Sequence, residues 1–167
     1  MRKGNKMARS VFYSFHYQND ISRVMIVRNR WITYGNQYAS GVIDHAEFEK
    51  VQRQGDTAIK NWIDSQLQGT TVTIVLIGAE TLNRPYVQYE IMKSRERGNA
   101  IIGVYINNIK DLKGYTSSAC KSHTIVGCDR DGSYVWFYEI ADGIYDYVND
   151  NGYYNLGSWV EAAVRKY

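Results

Sequence analysis

The feature that most constrains the fold is an unbroken apolar run, TTVTIVLIG, at residues 70–78. It is rich in β-branched side chains, which favour strands, and it lacks the polar alternation of a strand with one wet face. Strands that are apolar on both faces are usually parallel and central, because helices cover the sheet on either side. The run therefore predicts a central strand of an α/β sheet.

Strands and helices alternate around this run. SVFYSF at 10–15 and AIIGVYI at 100–106 are predicted strands, and Val42–Ile43 is a brief candidate for another. Apolar spacing and end signals predict three helices, which run from the cap Asp20 to Gly35, from the cap Asp56 or Thr57 to Gly69, and from Asn83–Pro85 to Gly98. This order indicates a doubly wound, mostly parallel α/β sheet with helices on both faces.

A ligand site is expected on one rim of this sheet. Crossovers in such folds are right-handed, so the loops after the strands gather at the carboxyl edge. Those loops are HYQND at 16–20, the segment 44–55 and AETLNRPY at 79–86.

The chain length of 167 residues suits a single domain. We predict a basic tail at 1–9 and one domain at 10–167. Within it, 107–153 is an additional region of polar loop, followed by an aromatic strand at 134–141, and 154–167 is a closing amphipathic helix. Six acids against one base between Asp129 and Asp150 are interpreted as a solvated acidic face.

Charge gives no case for nucleic acid or membrane as a partner. The net charge is +3, but Arg2, Lys3 and Lys6 supply all of it, which leaves 17 bases and 17 acids in the remainder. The longest apolar run is too short to cross a bilayer, and no secretory signal follows the N-terminal charges. The sequence predicts a soluble, cytoplasmic protein.

Two cysteines raise the question of a metal. Cys120 and Cys128 flank His123, with Asp129 next to the second cysteine. The spacing lacks the paired short loops of zinc sites, so free thiols in a loop are predicted in preference to a metal site.

The common cofactor fingerprints are absent. The sequence has no G-x-G-x-x-G after the first strand, no G-x-x-x-x-G-K-[ST] and no G-x-S-x-G. Rossmann-type dinucleotide binding, a P-loop and a hydrolase elbow are therefore not supported.

One carboxylate stands out by position. Glu90 lies early in the third predicted helix, close to Tyr86 and Tyr89. Helical side chains tilt toward the N-terminus, so Glu90 can lean back to the sheet rim. Spacing alone favours the alternative, a surface contact with Lys93 or Ser94.

The stretches SVFYSFHYQND, GVIDHAEFEK, TVTIVLIGAETLNRPYVQYEIMKS and NAIIGVYIN resemble the Toll/interleukin-1 receptor (TIR) superfamily. They are most similar to the TIR-like proteins of bacterial Thoeris antiphage systems, from about Ser10 to Ile106. The sequence departs from many TIR domains at Gly78, where they carry serine. The resemblance implies a flavodoxin-like fold with a C-terminal extension, and NAD as a substrate rather than a cofactor.

The family's products are nicotinamide and an ADP-ribose derivative. The resemblance therefore implies a diffusible, cyclic nucleotide signal that reaches a separate effector, and it leaves assembly into a homo-oligomer open.

The resemblance also assigns roles to residues. It places the catalytic glutamate on Glu90 and the aromatic position of its motif on Tyr86. It places substrate contacts in the loop after the first strand and in the segment that follows 41–43, namely Phe15, His16, Tyr17, Asp44, Ala46 and Phe48. For His16, a loop histidine bonded to backbone is an equal alternative. Asn83 and Arg84 begin the third helix, where amides and a guanidinium attract pyrophosphate, although helix capping is the alternative for Asn83.

A single carboxylate suits this chemistry. Glycosidases need two carboxyls because an alkoxide leaving group must be protonated. Nicotinamide leaves a cationic nitrogen and departs neutral, so one carboxylate can hold the ribose and stabilise its developing positive charge. Exclusion of water then decides between hydrolysis and capture by another hydroxyl.

Two other functions compete with this one. A non-catalytic interaction module would use the 15 tyrosines and the acidic C-terminal third to bind a protein. A receiver-like phosphoacceptor domain would need clustered acids after the first strand, where HYQND supplies only Asp20.

Overall fold

The computed structural model describes the backbone of residues 10–33, 39–40 and 45–166, and the side chains of residues 10–31 and 49–166. In chain order its elements are β1 (Val11–Ser14), α1 (Tyr17–Thr33), β2 (Ala39–Ser40), α2 (His45–Gln52), α3 (Asp56–Leu67), β3 (Val72–Ile77), the 3₁₀ turn η1 (Thr81–Asn83), α4 (Pro85–Glu96), β4 (Ala100–Tyr105), β5 (Ile125–Cys128), β6 (Tyr134–Trp136), α5 (Phe137–Ile140), β7 (Gly143–Asp146) and α6 (Gly152–Val164).

The main sheet has five strands in the order β2-β1-β3-β4-β7, and all of its pairs are parallel. The predicted central strand is confirmed as β3, in which all six residues are buried. The strands at 10–15 and 100–106 are confirmed as β1 and β4. A separate antiparallel pair, β5 and β6, lies outside this sheet.

Helices cover both faces of the sheet, as the doubly wound pattern predicts. On one face, α1 and α6 pack through Val24, Val27 and Trp159. On the other face, α3 packs through Ile59 and α4 through Ile91. Side chains of β1 alternate between these faces: Val11 and Tyr13 pack on the face of α1 and α6, and Phe12 packs on the face of α3. Two separate apolar layers result, and the one with α3 and α4 carries the cavity described below.

Asp20 is not the cap of the first helix, which corrects that prediction. The helix begins at Tyr17, so Asp20 lies in its first turn and is buried. Its carboxylate packs against Gly78, where an added Cβ would lie 2.4 Å from Oδ2. Arg23 lies 3.7 Å from Oδ1, and burial raises the pKa of Asp20 to about 6. The buried carboxylate explains why glycine stands at 78.

The segment 44–55 was predicted as a loop, but it contains α2. The second described strand is Ala39–Ser40, whereas Gly35 and the candidate strand Val42–Ile43 lie outside the described residues. The cap of α3 is Gly55, one residue before the predicted Asp56. Gly69 and Gly98 follow α3 and α4 with positive φ, as predicted for helix ends.

The C-terminal third is more regular than its sequence predicts. The loop 107–131 contains β5, and the strand predicted at 134–141 stops at Trp136 and continues as α5. The chain turns there because Phe137 is buried against Gly103, where a Cβ would lie 2.8 Å from the ring. The strand β7 was not predicted, yet it extends the main sheet beside β4. The closing helix starts at Gly152, two residues earlier than expected.

The acids of this third also shape turns. Asp146 accepts hydrogen bonds from the backbone amides of Val148 and Asn149, and Asp150 accepts one from the amide of Asp146. Asp142 accepts one from the amide of Ile101. These acidic side chains therefore also accept hydrogen bonds from backbone amides.

Both cysteines are free thiols: Cys120 is buried and donates to the carbonyl of Ala79, and Cys128 is exposed. Across residues 10–31 and 49–166, no three metal-ligating side chains come together. None of the helices described combines the length and the apolar character that a bilayer crossing needs.

Candidate active site

A cavity of about 240 Å³ opens at the carboxyl edge of the sheet, between the end of β1, α3 and the start of α4. Its described lining is mostly aromatic and aliphatic: Phe12, Tyr13, Phe15, His16, Tyr17, Gln18, Gln52, Ile59, Trp62, Ile63, Arg84, Pro85, Tyr86, Val87 and Glu90. Ligand pockets usually span about 300–1,000 Å³, so this volume suits one ring and its sugar.

Glu90 is the only carboxylate in this described lining. It lies between the first and second turns of α4, a helix that begins at Pro85. Burial raises the pKa of Glu90 from 4.5 to about 8, and the hydroxyl of Ser14 acts in the opposite direction. Burial thus favours the protonated acid, and a bound cation would favour the carboxylate.

The surface contact that spacing favoured for Glu90 is not found. Lys93 forms an ion pair with Glu96 at 3.4 Å. The hydroxyl of Ser94 bonds to the backbone carbonyl of Glu90 at 2.7 Å and to Thr73 at 2.6 Å. Both candidate partners are therefore engaged elsewhere, while the Glu90 side chain faces the cavity.

Of the two tyrosines near Glu90 in sequence, only Tyr86 lines the cavity. It lies one turn before Glu90 on α4, where side chains four residues apart share a face. Tyr89 points elsewhere, because its hydroxyl donates to Asp64 at 2.8 Å and Lys60 approaches its ring. Tyr89 lies close to Glu90 in sequence but does not line the cavity with it.

The loop after β1 brings Phe15, His16 and Tyr17 to the cavity, as the resemblance implies. Burial lowers the pKa of His16, so its imidazole is neutral at neutral pH. Its Nδ1 atom is buried and forms no hydrogen bond with a described residue, although Glu80 lies 3.9 Å away. The alternative of a histidine bonded to backbone through this atom is not supported.

Arg84 and Asn83, next to each other before α4, differ in whether they line the cavity. Arg84 lines the cavity and pairs with Glu80 at 2.7 Å, and Glu80 also accepts a hydrogen bond from Asn19. Asn83 is exposed and is absent from the lining. The N-cap residue of α4 is Arg84, with no side-chain cap, so Asn83 does not cap this helix, and its predicted contact with pyrophosphate stays a prediction.

Asp44 lies outside the described residues, and so do the side chains of Ala46 and Phe48, whose backbone belongs to α2. Their predicted place at the mouth stays a prediction.

The part of the cavity wall that β1 and α3 form was not predicted from the sequence. Phe12 on β1 and Ile59, Trp62 and Ile63 on α3 line the cavity, although their spacing predicted core packing. The sequence signal for such a wall is weak, because a helix face buried in the core and one that lines a cavity have the same apolar periodicity. The indole of Trp62, a polar group in an apolar face, was the available indication.

Comparison with known proteins gives two matches. A family model described as "Thoeris protein ThsB, TIR-like domain" matches residues 12–111, which include every residue of the described lining. A protein of Bacillus cereus strain MSX-D12, named "Putative cyclic ADP-D-ribose synthase ThsB1", is 38% identical over an alignment of 191 positions. That alignment covers 92% of this chain and 100% of the relative.

Proposed function

The chain belongs to the Thoeris ThsB TIR-like family, and we propose that it is an enzyme that cleaves NAD, releases nicotinamide and forms a cyclic ADP-ribose signal. The observation that carries this proposal is the carboxyl of Glu90, the single one in the described lining of an apolar, aromatic cavity. The similarity to a protein named as a cyclic ADP-D-ribose synthase supports the choice of substrate and product class.

The cavity suits the reacting end of NAD. Its volume of about 240 Å³ accommodates the nicotinamide ring and ribose, and Phe12, Phe15 and Tyr86 supply aromatic surface. The diphosphate would then lie at the mouth beside Arg84. NAD enters as the substrate, and the mechanism needs no bound cofactor or metal.

Glu90 would respond to the charge of its substrate. The pyridinium nitrogen of NAD is positive, and a cation nearby lowers the pKa of a carboxyl that burial has raised. Binding thus ionises Glu90 where its charge is useful. As the glycosidic bond breaks, positive charge moves from the ring to the ribose, and the carboxylate stabilises it in a site of low dielectric.

The cyclic product follows from the apolar lining. The ribosyl cation can react with water or with a nucleophile of the same ADP-ribose molecule. When NAD fills it, a cavity lined by Phe12, Ile59 and Trp62 excludes water and favours the intramolecular reaction. The departing nicotinamide takes the bonding electrons, and the attacking group replaces it at the anomeric carbon. Where that group is a hydroxyl, its proton passes to the Glu90 carboxylate or to water.

The proposal extends to the biological role. We assign the signal to a separate effector in antiphage defence, on the strength of the Thoeris family description. NAD is an intracellular metabolite, so we place the enzyme in the cytoplasm.

The test is incubation of the purified protein with NAD, followed by chromatography and mass spectrometry of the products. We expect nicotinamide and an ADP-ribose species, and the loss of both in Glu90→Gln. Loss of one key electrostatic group costs about 3 kcal/mol or more, so turnover should fall at least about 100-fold. Full activity of that variant would refute the mechanism. No turnover by the wild type, with or without lysate of phage-infected cells, would favour the interaction module.

A further inference from the structure

The last residue of β1, Ser14, is a buried polar side chain with no evident structural task. It is 0% exposed and follows Val11, Phe12 and Tyr13, which pack in the core. Its Oγ atom has no hydrogen bond of ordinary geometry to any described residue. Buried hydroxyls without a partner are rare and costly, so this one calls for an explanation.

The register of β1 directs Ser14 toward α4. Side chains two residues apart share a face of a strand, so Ser14 lies on the face of Phe12, which lines the cavity. Glu90 lines the same cavity from α4, and the nearby Ser14 hydroxyl lowers the pKa of its carboxyl. Pairing of β1 with β2 on one side and β3 on the other fixes its position.

A second serine under the same helix provides the contrast. Ser94 lies one turn beyond Glu90 and is also 0% exposed. Its hydroxyl is fully used, because it bonds to Thr73 at 2.6 Å and to the carbonyl of Glu90 at 2.7 Å. Ser94 thus joins α4 to the sheet, whereas the Ser14 hydroxyl remains free for the Glu90 side chain.

On the basis of the function proposed above, we propose that Ser14 is a positioning residue whose hydroxyl donates a hydrogen bond to the ionised Glu90 carboxylate and holds it toward the ribose. The hydrogen bond forms as the carboxyl ionises, in the free enzyme as well as with NAD bound, because a donor favours the charged form of a carboxyl. A neutral donor suits this task, because it stabilises the carboxylate without neutralising its charge.

The other titratable and charged groups around the cavity can be separated from Glu90. On β1 and in the loop after it they are Tyr13, His16 and Tyr17, and on α4 they are Arg84 and Tyr86, while α3 contributes none to the described lining. Burial lowers the pKa of His16 and raises that of Tyr86, which moves both away from the range of pH 7 to 9. The guanidinium of Arg84 is permanently charged.

The experiment compares Ser14→Ala with the control Ser94→Ala. One hydrogen bond to a carboxylate shifts its pKa by about one unit. We therefore expect Ser14→Ala to move the ascending limb of kcat/KM against pH upward by about one unit, with about a tenfold loss at pH 7 that closes at alkaline pH. Ser94→Ala should leave that limb unchanged, even where it lowers the melting temperature. Ser14→Gly, which also removes the donor and adds no titratable group, should shift it in the same direction as Ser14→Ala.

A second readout does not depend on turnover. The carboxyl stretch of Glu90, isolated by infrared difference against Glu90→Gln without NAD, gives its titration directly. An upward shift in Ser14→Ala supports the inference, even if NAD is not cleaved and the proposed function fails. An unchanged titration in both Ser14 variants overturns the inference, even if the wild type is fully active.

Discussion

Replacement of Glu90 by glutamine is expected to stabilise the protein above acidic pH while it abolishes the reaction. Burial raises the pKa of this carboxyl from 4.5 to about 8. Between these pH values the folded state binds a proton that the unfolded state has lost, so the stability of the wild type falls as pH rises. Glutamine has the shape of the protonated acid and does not ionise, so the variant escapes this loss.

The magnitude follows from the pKa. Each pH unit between the two values corresponds to about 1.4 kcal/mol, so full burial would cost the wild type about 3 kcal/mol at pH 7. Because the carboxyl faces a cavity that solvent enters, we expect about 1–2 kcal/mol in practice. For a protein of this size that is a rise of about 2–8 °C in melting temperature.

The assay is thermal unfolding of both proteins from pH 4 to pH 9. The difference between them should be near zero below pH 4.5, grow through the neutral range and level off above pH 8. The matched control is Glu96→Gln, an exposed glutamate of the same helix that pairs with Lys93. A difference that is constant with pH, or a wild type that is the more stable protein at pH 8, would refute the reasoning.

Two further predictions concern the edges of the site. Gly78→Ala should destabilise the fold by about 2 kcal/mol in urea denaturation, because the new Cβ would lie 2.4 Å from Oδ2 of the buried Asp20. The control is Gly157→Ala, in which the new Cβ meets no atom within 4 Å. Equal stability of the two variants would contradict the close packing at Gly78. Arg84→Ala should raise KM for NAD about tenfold with little change in kcat, because it removes a charged donor from the mouth. The control is Arg95→Ala, which removes another arginine of α4, one that forms an ion pair with Asp129, and it should leave KM unchanged. An equal KM in both variants would remove Arg84 from the site.

The sheet could be predicted because its evidence is local. The run at 70–78 carries the periodicity of a doubly buried strand, and Pro85 and Gly98 mark the ends of α4 through backbone geometry alone. The burial of Asp20 could not be predicted, because its evidence is not local. An acid before an apolar helix has the pattern of a cap, and only its distant contact with Gly78 shows that it is buried within the first turn.

The site was predictable only in part. Glu90 came from the resemblance, since its spacing favoured a surface contact, and Tyr86 followed from it by helical periodicity. The separate fate of Tyr89 depends on Asp64 of α3, and no local pattern in α4 contains that information. The strand β7 was missed because its four residues are all only partly buried, so they lack the apolar signature of an inner strand.

The position of β7 affects where the chain can be shortened. The family match ends at Asp111, but the sheet is completed by residues 143–146, and Phe137 and α6 seal its two faces. A fragment that stopped at the end of the match would leave β4 as a bare edge, with Ile102 and Val104 exposed to water and open to aggregation. The limits of sequence similarity and the smallest unit that folds are therefore different in this protein.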